Sequence, residues 1–291
     1  MNRYESTRKV GIFGIIGNVF LVIIKFSVSL VSHSQALLAD AINSAGDIFS
    51  SIMTAIGNKI ASTPHDEDHN FGHGKAEYIF SLIISIFMLF IASKILIDSI
   101  ISIITKKVFI FSYFLVIVCM LTIITKFILY IYCKKVYKSH QNILVKASMK
   151  DHRNDMLLTF GTLISVLLGN YGLYFFDGIF GSIISLYIMY SGIGIFLESY
   201  KILMDVSLVK AEKENIISYI LKNKQIKSVN DFNTVAIGYK YIAILTIDVD
   251  GNLNTFDSHV IADNLEKSIP KEFKKISKVI VHVNPIKIDK E

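Results

Sequence analysis

Two pairs of side chains have the type and spacing to do chemistry. In LLADAINSAGDIFSS, Asn43 and Asp47 are four residues apart, and in KASMKDHRNDMLLTF so are Asp151 and Asp155. Residues i and i+4 share a helix face, so each pair presents two oxygen donors side by side. Three carboxylates and one amide oxygen make an all-oxygen cage. That donor set suits hard or borderline divalent cations such as Mn²⁺, whereas zinc sites usually include His or Cys. A second cluster, ASTPHDEDHNFGHGKAE, packs His65, Asp66, Glu67, Asp68, His69 and His73 into one short loop. That density of nitrogen and oxygen ligands signals metal binding, and a solvated polar loop is the alternative.

The elements carrying these pairs are strongly apolar. The chain has 291 residues, 52% hydrophobic and 19% charged, with a mean hydropathy of +0.51. The excess runs from Val10 to Met204, and beyond Val206 the sequence turns polar and lysine-rich. A single soluble domain is excluded by that asymmetry. No signal-peptide pattern opens the chain. Six segments, roughly 10–31, 36–60, 78–104, 108–133, 146–169 and 172–199, are long and apolar enough to span a bilayer. No proline interrupts them between Pro64 and Pro270. The linkers near 61–77 and 134–145 read as longer and polar. Counted from the helix starts at 1.5 Å per residue, Asp47 lies about 18 Å and Asp155 about 14 Å deep. Both depths are close to the middle of a hydrocarbon core of about 30 Å. The apolar run after Asp155 is too short to span alone, so the fifth helix must take the aspartates in.

Lysine and arginine set the orientation. Arg3, Arg8, Lys9, Lys59, Lys75, Lys134, Lys135, Lys138, Lys146, Lys150 and Lys201 fall on one side, against Lys106 and Lys107 on the other. The positive-inside rule places both termini in the cytoplasm. The net charge of +6 reflects this orientation and not nucleic-acid binding. Cys119 and Cys133 lack disulfide or CxxC spacing and read as membrane-helix filler. Asn18 and Lys25 read as packing and pairing groups, and Lys126 as a snorkelling or interhelical residue.

The chain divides into a six-helix transmembrane domain, 1–205, and a cytoplasmic domain, 206–291. The tail alternates as helix 210–223, strands 226–237 and 241–250, helix 254–268 and strand 277–283. This αββαβ order predicts a ferredoxin-like α+β sandwich. It contains no phosphate-binding glycine loop.

With SHSQALLADAINSAGD, FGHGKAE, DHRND, LMD at 203–205 and VHVNP near the end, the chain resembles the cation diffusion facilitator family over nearly its whole length. The resemblance implies a homodimer that moves divalent metals out of the cytoplasm in exchange for protons. It puts the transport site on Asn43, Asp47, Asp151 and Asp155, and a loop site on Asp66, His69 and His73. It also implies a charge interlock between Lys75 and Asp205. Zinc-moving members usually carry a histidine in the quartet. Here His152 is one position out of register and is expected to face away, so the quartet resembles the manganese-exporting branch. In the tail, His259 and His282 remain as candidate ligands, with a structural role as the equal alternative. Other positions of the zinc members' cluster are Asn230, Thr246 and Asn284 here.

The leading expectation is a non-enzymatic antiporter of a bacterial inner membrane, exporting Mn²⁺, with Fe²⁺, Zn²⁺ or Co²⁺ as other cargoes. Its partners would be a second copy, protons and the lipid bilayer, with no nucleic acid and no cofactor beyond the cargo. A metal-responsive membrane scaffold and a membrane-embedded hydrolase are the competing classes. The hydrolase would need a water-activating metal with an open coordination position.

Overall fold

The computed structural model describes residues 2–32, 35–105, 113–169 and 175–286; the side chains of residues 29, 31, 32, 35–40, 42, 43, 166, 169, 175 and 177 lie outside that description. Lys106, Lys107 and the Asn43 side chain therefore fall outside it. The described chain forms two compact units, 1–64 with 76–200, and 65–75 with 201–291.

The first unit is helical. Its elements are α1 (Arg3–Ser32), α2 (Gln35–Ala61), α3 (Ala76–Thr105), α4 (Tyr113–His140), α5 (Ile143–Gly169) and α6 (Phe175–Leu203). Among the described residues, α1, α3, α4 and α6 are long and apolar enough to cross a membrane. At 27 residues each, α2 and α5 match them in length but carry the polar pairs. The expected loop at 134–145 is a correction. α4 continues to His140 and α5 starts at Ile143, with Gln141 in the left-handed region (φ 47°) making the turn. The lysines of that stretch suit a helix as well as a loop, because they lie beyond the apolar run.

The bundle is apolar outside and polar inside. On α3, Ile79, Ile86, Phe90, Ile97 and Ile104 are exposed, while Ser81, Ser85, Ala92, Ser99 and Ser102 are buried. Lipid solvates the first set, and small residues on the second let helices approach closely. The α1–α2 contact is of this kind. A Cβ on Gly14 would sit 2.7 Å from the Ser51 hydroxyl.

At one end of the unit, α1, α3 and the α4–α5 turn are joined by a buried ion pair. Arg3 engages both Glu77 oxygens, Nη2 to Oε2 at 2.6 Å. Asn142 Nδ2 donates to Glu77 Oε1 at 3.0 Å, and Arg3 Nε donates to the His140 carbonyl at 3.4 Å. Glu77 is wholly buried.

The second unit holds α7 (Lys210–Ile220), β1 (Ile226–Ile237), β2 (Lys240–Asp250), α8 (Thr255–Glu272) and β3 (Ile276–Ile286), the expected αββαβ order. β2 is central, antiparallel to β1 and parallel to β3. Ala243, Leu245, Ile247 and Val249 alternate inward from β2. They meet Ile216 and Ile220 of α7 and Ile261, Leu265 and Ile269 of α8. Asn254 caps α8, accepting from the Asp257 N–H at 2.8 Å. Gly238 (φ 75°) opens the two-residue hairpin between β1 and β2. The 65–75 loop rests on that hairpin, since a Cβ on Gly238 would meet the Gly74 carbonyl carbon at 2.8 Å.

Replacing Glu77 by Ala is expected to destabilise the helical unit by about 3 kcal/mol, because the largely buried arginine loses its carboxylate. Thermal unfolding in detergent checks this, and a loss under about 1 kcal/mol would mean that the pair holds nothing together.

Candidate cation site

Asp47 stands twelve residues into α2, Asp155 twelve residues into α5 and Lys126 thirteen residues into α4. Each is thus at the middle of its helix, about 18–20 Å from the start. There the three meet. Lys126 Nζ is 2.7 Å from Asp47 Oδ2 and 2.6 Å from Asp155 Oδ2, with the lysine side chain 1% exposed. The Ser50 hydroxyl of α2 engages the Asp151 carboxyl. Around them, Asn18 Nδ2 donates to the Asp47 carbonyl and to Ser51 Oγ, both at 3.0 Å, and Lys25 Nζ donates to Ser44 Oγ at 2.8 Å. Asn18 and Lys25 thus act as the expected packing and pairing groups.

Asp47, Asp151 and Asp155 therefore lie together across α2 and α5. Of its two expected roles, Lys126 takes the interhelical one and does not snorkel, because its ammonium is held inside the bundle by two carboxylates. One expectation changes: His152 does not turn away. It is 1% exposed, and one ring nitrogen lies within 4.8 Å of a carboxylate oxygen of both Asp151 and Asp155. One residue step rotates a side chain by about 100°, and on that side Gly14 of α1 leaves room for the ring. A Cβ there would be 3.8 Å from His152 Nε2. Among the described residues the Nδ1 of His152 has no hydrogen-bond partner, and an imidazole nitrogen joins the donors within reach. Lys126 was signalled by a lone cation in LTIITKFILY. An ionisable residue in a membrane helix marks function by default.

The loop cluster closes as a separate site. Asp66 Oδ1 accepts the His69 N–H at 2.6 Å, His69 Nδ1 is 3.3 Å from the same oxygen, and His73 Nε2 is 3.4 Å from Oδ2. One ligand atom from each lies within 4.8 Å of the others. The His69 backbone N–H holds the Asp66 carboxyl below the usual carboxylate range, keeping it ionised and ready for a cation.

In the tail, His259 is exposed, 3.8 Å from Asp263 on its own helix, and His282 is exposed on β3, opposite Thr246. Asp248 of β2 lies between Asn230 and Asn284. It accepts from Ser228, from Asn230 Nδ2 at 2.8 Å and from Asn284 Nδ2 at 2.7 Å. These donors, Ser228 foremost, hold its carboxyl below the usual range. A hydroxyl and two amide donors thus occupy this carboxylate. Nothing in the sequence pattern singled out Asp248.

Lys75 and Asp205 pair at 2.7 Å, each more than one-third exposed. Asp205 (φ 54°) ends α6 in a Schellman turn, with Asp205 N–H bonded to Ile202 O at 3.1 Å and Val206 N–H to Lys201 O at 2.9 Å. Glycine is the usual residue there. Aspartate costs of order 1 kcal/mol, and its side chain is what reaches the lysine.

Carboxylates gathered inside a bundle with an apolar exterior define a membrane protein that handles cations. Residues 11–204 match the family described as "Cation efflux transmembrane domain", and residues 208–286 match "Cation efflux protein, cytoplasmic domain". The chain belongs to the cation efflux, or cation diffusion facilitator, family, and is a multi-pass membrane transporter of divalent cations. It is 29% identical to the manganese efflux system protein MneP of Bacillus subtilis, covering 97% of each chain. MneS of the same species is also 29% identical, over 98% of this chain and 99% of that one. The cation-efflux pump FieF of Klebsiella pneumoniae is 27% identical, over 91% and 88%.

A surface pair such as Lys75–Asp205 is worth about 0.2–1 kcal/mol. A double-mutant cycle with Lys75→Glu and Asp205→Lys, read by thermal unfolding, is expected to show coupling in that range, and zero coupling would remove the interlock.

Proposed function

We propose that the chain exports Mn²⁺ from the cytoplasm in exchange for protons, by alternating access around Asn43, Asp47, Asp151 and Asp155. The observation that carries this reading is the convergence of Asp47 and Asp155 on a single cation, Lys126 Nζ, at mid-helix depth. Carboxylates from two helices that reach one ammonium can reach one metal ion. Protons compete with metal for the same oxygens, because ligands must be deprotonated. A site opened to an acidic exterior therefore releases its cargo, which couples metal efflux to proton entry.

The oxygen-rich quartet favours Mn²⁺, and the names of the Bacillus relatives point the same way. His152 favours a second reading, in which Fe²⁺, Zn²⁺ or Co²⁺ is carried, since imidazole suits those ions. In this proposal all six helices span, both termini are cytoplasmic, the tail forms the homodimer interface and the membrane is a bacterial inner membrane. The loop site of Asp66, His69 and His73 would bind a second ion at the cytoplasmic side. His259 and His282 would contribute at most a weak tail site.

Asp47→Ala or Asp155→Ala is expected to abolish Mn²⁺ uptake into inverted vesicles while the protein stays folded. Uptake within about twofold of the parent would sink the site. That twofold is well under the 1.4 kcal/mol of a tenfold change.

Asp151→His should shift preference from Mn²⁺ toward Zn²⁺, by exchanging an anionic oxygen for a nitrogen that zinc favours. Competition flux with both metals reads the ratio. An unchanged ratio in a folded, active variant would place selectivity elsewhere.

A further inference from the structure

Three carboxylates gather at the site, and one full positive charge already sits among them. Lys126 is buried, comes from a helix that contributes none of the quartet, and touches Asp47 and Asp155 at 2.7 and 2.6 Å. A metal seated on these two oxygens, at about 2.0–2.6 Å from each, would displace the ammonium. We propose that Lys126 is a tethered cation that fills the transport site between cargoes and limits it to divalent ions. This rests on the reading of Asp47 and Asp155 as transport ligands.

Charge explains the discrimination. With Lys126 the three carboxylates keep a net negative formal charge, so a cation of charge two is drawn to them more strongly than one of charge one. To enter, a cation must push the ammonium off Asp47 and Asp155. A divalent ion brings those carboxylates twice the charge of the ammonium it displaces. A sodium or potassium ion brings no more charge than is already there and gives up its hydration shell to do so. The tether also makes the lysine a competitor at high effective concentration. It weakens metal binding, and it retakes the site as the ion departs. The side chain has the reach for this, with a flexible four-carbon stem and a compact charge.

The test uses full-length protein in nanodiscs, with free Mn²⁺ counted by electron paramagnetic resonance at one fixed pH. The parent is expected to bind Mn²⁺ equally well in 100 mM sodium chloride and 100 mM choline chloride. In Lys126→Met the affinity should rise at least tenfold in choline, and sodium should then weaken it at least threefold. Lys126→Arg keeps the charge and can fork across the same two carboxylates. It should bind Mn²⁺ more weakly than the parent and stay insensitive to sodium. Unchanged or weaker Mn²⁺ binding in folded Lys126→Met, or binding indifferent to sodium, overturns the proposal. So does tighter binding in Lys126→Arg, which decides the matter if the methionine variant does not fold. Asp155→Asn runs alongside. If that substitution leaves Mn²⁺ binding intact, the ligand assignment itself has failed and the lysine is not at fault.

Discussion

An ionised side chain halfway along a membrane helix survives only if its charge is answered nearby, because lipid and apolar side chains do not solvate it. In this chain the answer is reciprocal. Asp47 and Asp155 neutralise Lys126, and Lys126 neutralises them. Removing Lys126 takes the shared cation from both carboxylates at once, whereas removing either aspartate leaves the ammonium paired with the other. The bundle is therefore built around the contact. The helices that supply the three groups must stay aligned along their lengths, and the positions that fix the alignment are small or polar. Asn18 of α1 holds the Asp47 carbonyl and Ser51, and Gly14 brings α1 close enough for this.

The same constraint inverts the composition. A soluble helix bundle buries its isoleucines, but here Ile79, Ile86 and Ile104 of α3 face outward while Ser81, Ser85 and Ser102 face in. With lipid outside, burying isoleucine gains little, and close approach with satisfied hydroxyls decides packing. The apolar majority of the sequence is thus a solvent-facing surface, and the chemistry is carried by the polar minority.

That division explains what could be read from the chain. Helix positions, the mid-helix places of Asp47 and Asp155, and the αββαβ order all follow from periodicity and run length, which are local. The extension of α4 to His140 was hidden because lysines past the end of an apolar run look alike in a loop and in a helix. The partners of Lys126 were hidden for another reason. A lone lysine in an apolar helix announces itself, but three helices separated by dozens of residues decide what it touches. Arg3, Glu77 and Asn142 are the same case, since each is unremarkable in its own stretch and their meeting is purely tertiary. Asp205 was found by resemblance, and its backbone shows why aspartate stands there. A glycine would suit the Schellman turn better but could not reach Lys75.

Valence and identity of the cargo are separable in this arrangement. An ammonium competing for two carboxylates distinguishes one charge from two, yet it treats manganese and zinc alike, because both displace it with the same charge. Choice between divalent ions has to come from donor type, and adjacent residues of α5 offer the two types: oxygen from Asp151 and nitrogen from His152. They point about 100° apart, so the rotation of α5 about its axis sets how far each reaches toward the other ligands. Two contacts with α2 set that rotation. Thr54 Oγ1 and Ser148 Oγ are 2.9 Å apart, and one turn further along Ser50 engages Asp151. Both draw the Ser148–Asp151 edge toward α2 and leave His152 on the side of α1. The hydroxyls of Ser50, Thr54 and Ser148 ligate nothing in the proposed site, yet they hold the oxygen-donor face of α5 toward it.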